Sequence, residues 1–236
     1  MAVYVTSDLH GYPLDRFREF LSSVGFSESD WLYILGDVID RNGDGGVAML
    51  RWLLCQPNVQ LLRGNHEQMM LECSFAFDEI TDDGLSALSA EKLSAFTNWL
   101  ANGAEPTVAS MKKLLHTSPE CVSDILDYLA DTPLYETVDI GDMSFLLVHA
   151  GLGDFSEDKR LSDYTERELL WTRPIPTDRY FENVLTVLGH TPCAYYRSRG
   201  RAFFTDTWVD IDVGCADGAV PMLLRLDDMK EFYFQG

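Results

Sequence analysis

Short apolar runs alternate with amphipathic stretches along the first third of the chain. Ala2–Ser7, Trp31–Leu35 and Val59–Leu62 have the length and the aliphatic or aromatic make-up of buried strands. Between the first two, Leu14, Phe17, Leu21 and Val24 recur at the spacing of one helix face, and Pro13 suits the first turn. Val47–Leu54, behind Gly45-Gly46, predicts a second helix. Each strand runs into polar residues, at Asp8, Gly36-Asp37 and Gly64-Asn65. Three strand, polar loop and helix units in succession predict a largely parallel or mixed sheet covered by helices.

From about residue 75 to 131 the pattern turns helical. Ser89 predicts the cap of a helix carrying Leu93, Phe96 and Trp99 and stopping near Gly103. Ser118-Pro119 predicts the start of another, carrying Val122, Ile125, Leu126 and Leu129 and ending before Pro133. This excursion is expected to border the substrate cleft within a single domain spanning residues 1–236. Strands resume at Ser144–Val148, before His149, and at Val184–Leu188, before His190. The β-rich segments Ala202–Val213 and Val220–Leu226 are expected to complete a second sheet. Phe232–Phe234 reads as an edge strand or, with Gln235 and Gly236, as the remnant of a cleavable tag.

Composition narrows the class of protein. A chain of 236 residues that is 46% hydrophobic can fill a substantial core. No apolar run approaches the roughly 18 residues of a membrane span. The opening residues lack the basic start and long apolar core of a signal peptide, so a cytoplasmic location is expected. A net charge of −20 disfavours nucleic-acid partners, which are held through Lys and Arg on phosphates. The five cysteines lack zinc-knuckle spacing and are expected to be mostly buried thiols, Cys193 and Cys215 among them. Asp78, Glu79, Asp82 and Asp83 read as a solvated acidic loop without EF-hand spacing.

Candidate chemistry changes the picture most. Four of the five histidines lie in short Asp/His/Asn clusters that follow strand candidates: Asp8-Leu9-His10, Asn65-His66, His149 and His190, with Asp37 and Asp40 between them. Oxygen and imidazole donors without cysteine suit a pair of divalent ions that activate water. Asp8, His10 and Asp37 are expected around one ion, and Asp37, Asn65, His149 and His190 around the second, with Asp37 bridging. A metal-bridging hydroxide would then attack phosphorus directly. Arg41 and Arg173 are candidates for bidentate contacts to phosphoryl oxygens. His66 is expected to face the leaving group as general acid, oriented by Asp40. Arg63 reads as an ion-pair residue, Glu67 as an organiser of its loop, and Trp99 and Trp171 as core aromatics.

Arg63-Gly64-Asn65-His66-Glu67 resembles the central motif of the calcineurin-like metallophosphoesterases, within them the phosphoprotein phosphatases. The longer run through Gln68-Met69-Met70 is similar to the bacteriophage lambda and bacterial serine/threonine phosphatase branch. Trp99–Gly103, Leu170–Arg173 and Asp210–Gly214 also look family-like. The resemblance implies an αββα sandwich of two mixed β-sheets flanked by helices. It also implies a dinuclear centre usually active with manganese, iron and zinc being alternatives, and the ligand, acid and arginine roles given above. Two departures stand out: Ser7 and Asn42 occupy positions where glycine is usual, and Asn42 bears on the aim of Arg41. The leading expectation is a serine/threonine protein phosphatase, with tyrosine as a further target and a phosphoprotein or phosphopeptide as partner. A symmetrical bis(5'-nucleosyl)-tetraphosphate hydrolase, taking a dinucleoside polyphosphate, is the enzymatic alternative. A catalytically silent phosphoprotein-binding module is the non-enzymatic one.

Overall fold

The computed structural model describes residues 1–78 and 89–234. Most of the predicted acidic loop (Glu79, Asp82 and Asp83) and the terminal Gln235 and Gly236 lie outside the described residues.

The first sheet contains β1 (Val3–Thr6), β2 (Trp31–Ile34), β3 (Val59–Leu61), β9 (Met222–Arg225) and β10 (Lys230–Tyr233), in the order β10-β9-β1-β2-β3. Its β1-β2-β3 section is parallel, while β9 and β10 run antiparallel along the other edge. The second sheet contains β4 (Tyr135–Ile140), β5 (Met143–Val148), β6 (Val184–Leu188), β7 (Phe203–Phe204) and β8 (Trp208–Asp210), in the order β4-β5-β6-β8-β7. Again the central trio, β5, β6 and β8, is parallel.

Alternation along each strand explains why the sheets face one another. In β1, Val3 and Val5 join Phe145 and Leu147 of β5 in an intersheet core, whereas Tyr4 points the other way into a cluster with Phe17, Phe20 and Leu32. In β5, Leu146 and Val148 turn outward to Trp208, Leu169 and Tyr180. Successive side chains take opposite faces of a strand, so both sides of each sheet are buried. The covering helices on the first sheet are α1 (Leu14–Ser23), α2 (Val47–Leu53), α3 (Asn65–Glu72), α4 (Ala90–Ala101), α5 (Glu105–Thr117) and α6 (Pro119–Asp131). A short α7 (Glu166–Leu170) packs Leu169 against the second sheet. The result is the expected sandwich of two mixed sheets flanked by helices.

Three features depart from the sequence reading. The segment β9 belongs to the first sheet, where Val5 pairs with Leu224, rather than completing the second. That partner is more than 200 residues away, and local periodicity carries no information about it. Helix α5 has no counterpart among the predicted elements; its Pro106 sits in the first turn, where its missing N–H has no partner to lose. Strand β4 was missed because its half-exposed edge mixes Glu136, Thr137 and Asp139 with apolar residues. It joins β5 through Gly141-Asp142, with Gly141 at φ +60°, the conformation a tight two-residue hairpin needs in first position. The predicted starts hold: the Ser89 hydroxyl caps α4 by accepting from the Lys92 amide at 3.3 Å, and Pro119 opens α6, where the Ser118 side chain makes no capping bond. Strand β10 pairs along β9, as an edge strand.

Candidate metal centre

Asp8, Asp37 and Asn65 follow β1, β2 and β3, while His149 and His190 follow β5 and β6. All lie at carboxyl ends of parallel strands, where loops from different units converge. Nine non-glycine residues among those described have positive φ, and six of these are Asp8, His10, Asp37, Asp40, Arg41 and His190. The backbone is therefore bent where the predicted residues meet, at a cost of order 1 kcal/mol for each such residue. Close approach makes its own demand: a Cβ on Gly36 (φ +84°) would fall 2.5 Å from the Gly64 Cα. The Asp37 and Asn65 loops can only be this close with glycine at that point.

Glu67 ties these loops together. Its fully buried carboxylate accepts from the backbone amides of Asp37 at 2.7 Å, Val38 at 2.9 Å and Gly64 at 2.9 Å. The loop-organising role expected of it is thus visible atom by atom. Arg63 is equally structural, donating to the carbonyls of Ala130 at 2.7 Å and Thr132 at 3.2 Å, with Glu166 at 3.7 Å.

Ring tautomers define what the site can hold. His10 Nδ1 donates to the Ile39 carbonyl at 3.0 Å, so the neutral ring carries its lone pair on Nε2. That nitrogen faces Asp37 Oδ2 at 3.6 Å and Asp8 Oδ1 at 3.9 Å. His149 Nδ1 donates to the Leu35 carbonyl at 2.6 Å, which turns its Nε2 lone pair onto Asp37 Oδ1 at 3.5 Å and Asn65 Oδ1 at 2.9 Å. His190 Nε2 is buried without a hydrogen-bond partner among the described residues. Lone pairs facing lone pairs are repulsive, and a cation between them reconciles the arrangement. Ligand atoms of His10, Asp37 and His66 lie within 4.8 Å of one another, as do those of Asp37, His149 and His190. Asp37 is common to both groups, with one oxygen toward each.

Electrostatics point the same way. Burial, reinforced by neighbouring carboxylates, raises the Asp8 and Asp37 carboxyls well above their usual range. Burial also lowers all four site imidazoles: His149 and His66 to about 3, and His10 and His190 well below the ordinary histidine value. Neutral imidazoles are the ligating form, and carboxylates crowded out of water are those a divalent cation would restore to charge. The donor set therefore fits two divalent ions.

His66 needs separate treatment because it falls within the first group. Its Nδ1 lies 2.6 Å from Asp40 Oδ2, leaving Nε2 to face Asp37 Oδ2 at 3.8 Å and Arg41 at 3.4 Å. Burial raises Asp40 to about 7, while the hydroxyl of Thr107 and the indole N–H of Trp99 act to hold it down. One proton lies between Nδ1 and Oδ2, and Nε2, which faces the cavity, is the ring position from which an acid would deliver a proton.

Arg41, Arg173, His66 and His190 line a cavity of about 260 Å³ over the donor cluster. Arg173 is steadied by the His190 carbonyl at 3.3 Å and the Thr191 hydroxyl at 3.4 Å. The aim of Arg41, in question because of Asn42, is set by its own amide donating to the Gly103 carbonyl at 2.8 Å; Asn42 instead reaches the Cys215 and Ala216 carbonyls, each at 3.3 Å. Ser7, the other departure, donates to Asp8. A larger depression of about 420 Å³ beside Arg179 and Asp206 lacks a comparable group of ligand atoms among the described residues.

Trp171 corrects the core reading: it is 40% exposed and lines the cavity, its indole edge-on to the His190 ring. Two residues were missed. Asp212 is buried at the cavity wall, its carboxyl raised to about 6 by burial against the opposing pull of Arg41 and Arg173. Its position after a strand in Asp210–Gly214 was the available signal. Thr107 had none, since a threonine inside a helix carries no pattern. The thiols of Cys193 and Cys215 are buried and raised by burial, which leaves them inert, and Cys73 is buried too; Cys55 is exposed. No helix among the described residues is long and apolar enough to cross a membrane.

Known proteins resemble this chain in sequence or in fold. A symmetrical bis(5'-nucleosyl)-tetraphosphatase from Acidovorax sp. (strain JS42) is 26% identical over 153 residues, 64% of this chain and 44% of that protein. The chain thus spans less than half the length of that relative. Among solved structures, one bearing diadenosine tetraphosphatase as a provisional assignment superposes with a TM-score of 0.62 at 16% identity, covering 100% of this chain and 95% of the other. A protein serine/threonine phosphatase from Saccharomyces cerevisiae gives 0.59 at 16% identity, covering 100% and 81%. At such identities these two structures establish the fold. Residues 1–213 match the calcineurin-like phosphoesterase family model, and the chain belongs to that family.

Proposed function

We propose that this protein is a metal-dependent hydrolase whose substrate is a dinucleoside tetraphosphate, cleaved symmetrically at its central phosphoanhydride. One observation carries the hydrolase reading: the lone-pair nitrogens of His10 and His149 face opposite oxygens of Asp37, at 3.6 and 3.5 Å, while the buried His190 Nε2 has no hydrogen-bond partner among the described residues. Asp8, His10 and Asp37 would hold one divalent ion; Asp37, Asn65, His149 and His190 would hold the other, with manganese favoured by the motif resemblance. Bound there, the ions supply positive charge toward phosphate and lower the pKa of water. Arg41 and Arg173 bind non-bridging oxygens and fix the phosphorus in line with its attacker. Water's oxygen bonds to phosphorus, the bridging P–O bond breaks, and His66 gives its Nε2 proton to the departing oxygen while Asp40 holds the ring through Nδ1.

The substrate assignment reverses the order expected from sequence motifs. The Acidovorax relative, similar in sequence over 64% of this chain, is named for dinucleoside tetraphosphate cleavage. The yeast protein phosphatase supports the fold alone. A phosphoprotein substrate remains the second reading, favoured by the run Arg63–Met70. Turnover of diadenosine tetraphosphate and of a phosphoserine peptide, measured side by side with manganese, separates them. Hydrolysis of the peptide alone refutes the nucleotide reading, and absence of hydrolysis of either, with manganese bound, refutes the enzyme.

A further inference from the structure

The hydrogen bonds around Asp40 reach outside the metal centre. Its Oδ2 accepts from Trp99 Nε1 at 2.8 Å, the same oxygen that meets His66 Nδ1 at 2.6 Å. Its Oδ1 accepts from the Thr107 hydroxyl at 2.5 Å, and the same hydroxyl accepts from the Asp40 amide at 3.0 Å. Thr107 also contacts the Gly45 carbonyl at 3.1 Å. Asp40, Trp99 and Thr107 are each fully buried. One carboxylate therefore receives three directional donors, two of them from the corner between α4 and α5, which lie 59 and 67 residues away in sequence.

From this geometry we infer that Trp99 and Thr107 are positioning residues of the reaction, fixing the rotamer of Asp40 and through it the direction in which His66 presents its Nε2 proton. A carboxylate turns about its last two bonds, and His66 alone would leave it free to swing. An indole on one oxygen and a hydroxyl on the other remove that freedom. A buried acceptor so strongly committed is also poorly placed to abandon the imidazole. The same corner sets Arg41, whose amide donates to the Gly103 carbonyl. The helical excursion thus holds both the acid pair and one phosphate clamp. This inference rests on the reading of His66 and Asp40 as an acid pair.

The test uses a readout that simple destabilisation does not move. Protonation of the leaving oxygen matters more for a poor leaving group than for a good one. Rates on phenyl phosphate and p-nitrophenyl phosphate, with saturating manganese, are measured for wild type, Thr107→Val, Thr107→Ser, Trp99→Phe and His66→Asn. The phenyl to p-nitrophenyl ratio of kcat is expected to fall about tenfold in Thr107→Val and Trp99→Phe, to fall further in His66→Asn, and to recover to within about threefold in Thr107→Ser. In metal-free protein, the proton resonance of the His66 to Asp40 hydrogen bond is expected to shift in Thr107→Val and to return in Thr107→Ser. Should Thr107→Val fail to fold, Trp99→Phe and Thr107→Ser decide. An equal loss on both substrates marks a merely structural role and overturns the inference. A normal ratio in His66→Asn removes the acid reading and the inference with it, whereas a selective loss confined to His66→Asn overturns the positioning role alone.

Discussion

Replacing Glu67 by glutamine isolates how the donor loops are held. The carboxylate takes two amides on Oε2, from Asp37 and Gly64, and one on Oε1, from Val38. A glutamine oxygen placed at Oε2 keeps two of these bonds in neutral form and sets its NH2 against the Val38 N–H, two donors with no acceptor between them. Hydrogen bonds to a charged group contribute about 1.5–3 kcal/mol each, and a buried unsatisfied donor costs about 1–3 kcal/mol. Relief of the desolvation that raises the Glu67 carboxyl offsets part of this loss. A net destabilisation of about 2–4 kcal/mol follows, or about 4–16 °C in Tm for a chain of this size. Because Asp37 and Gly64-Asn65 then drift apart, manganese affinity should weaken by about tenfold or more, as for other residues that orient ligands. Calorimetric unfolding of metal-free protein and manganese titration of wild type and Glu67→Gln measure both quantities. A variant that melts within about 2 °C of wild type and binds manganese equally well refutes the reasoning, since on this geometry neither can hold.

Three further outcomes follow from the site. In metal-free protein, Asp212 and Asp40 have folded-state values raised to about 6 and about 7, so their contribution is full below the ordinary carboxyl value and is lost as pH rises through 6 and 7. His66 and His149 are lowered to about 3, so their contribution is present above 6.5 and lost as pH falls toward 3. Metal-free Tm should therefore peak on the mildly acidic side and decline toward pH 8, with manganese cancelling the alkaline decline; a metal-free Tm that climbs from pH 5 to 8 contradicts this. Arg173→Lys, which loses the fork held by His190 and Thr191, should raise KM about tenfold with a smaller change in kcat, and steady-state kinetics showing unaltered KM would exclude a phosphate contact. Asp37→Asn should reduce manganese binding at both positions, because each of its oxygens serves a different group; titration showing one site intact would disprove bridging.

Much of this molecule is legible in its sequence because the deciding forces are local. Burial on both faces wrote β1, β2, β3, β5 and β6 into short apolar runs, period 3.6 wrote α1 and α6, and the Ser89 cap and Pro119 placed the starts of α4 and α6. Asp, His and Asn at the ends of those runs announced a metal chemistry, since few other uses require such donors at successive strand ends. What the tertiary structure alone decided are the matters settled by residues far apart in the chain. It put β9 beside β1, exposed Trp171 where an identical pattern would serve a core aromatic, and brought Asp212 to the cavity wall. It also chose which nitrogen of His10 and His149 carries the lone pair, because that depends on the carbonyls of Ile39 and Leu35. Thr107 meeting Asp40 is the limiting case: a helical threonine has no local signature of such a bond, and only the packing of α5 against the Asp40 loop creates it.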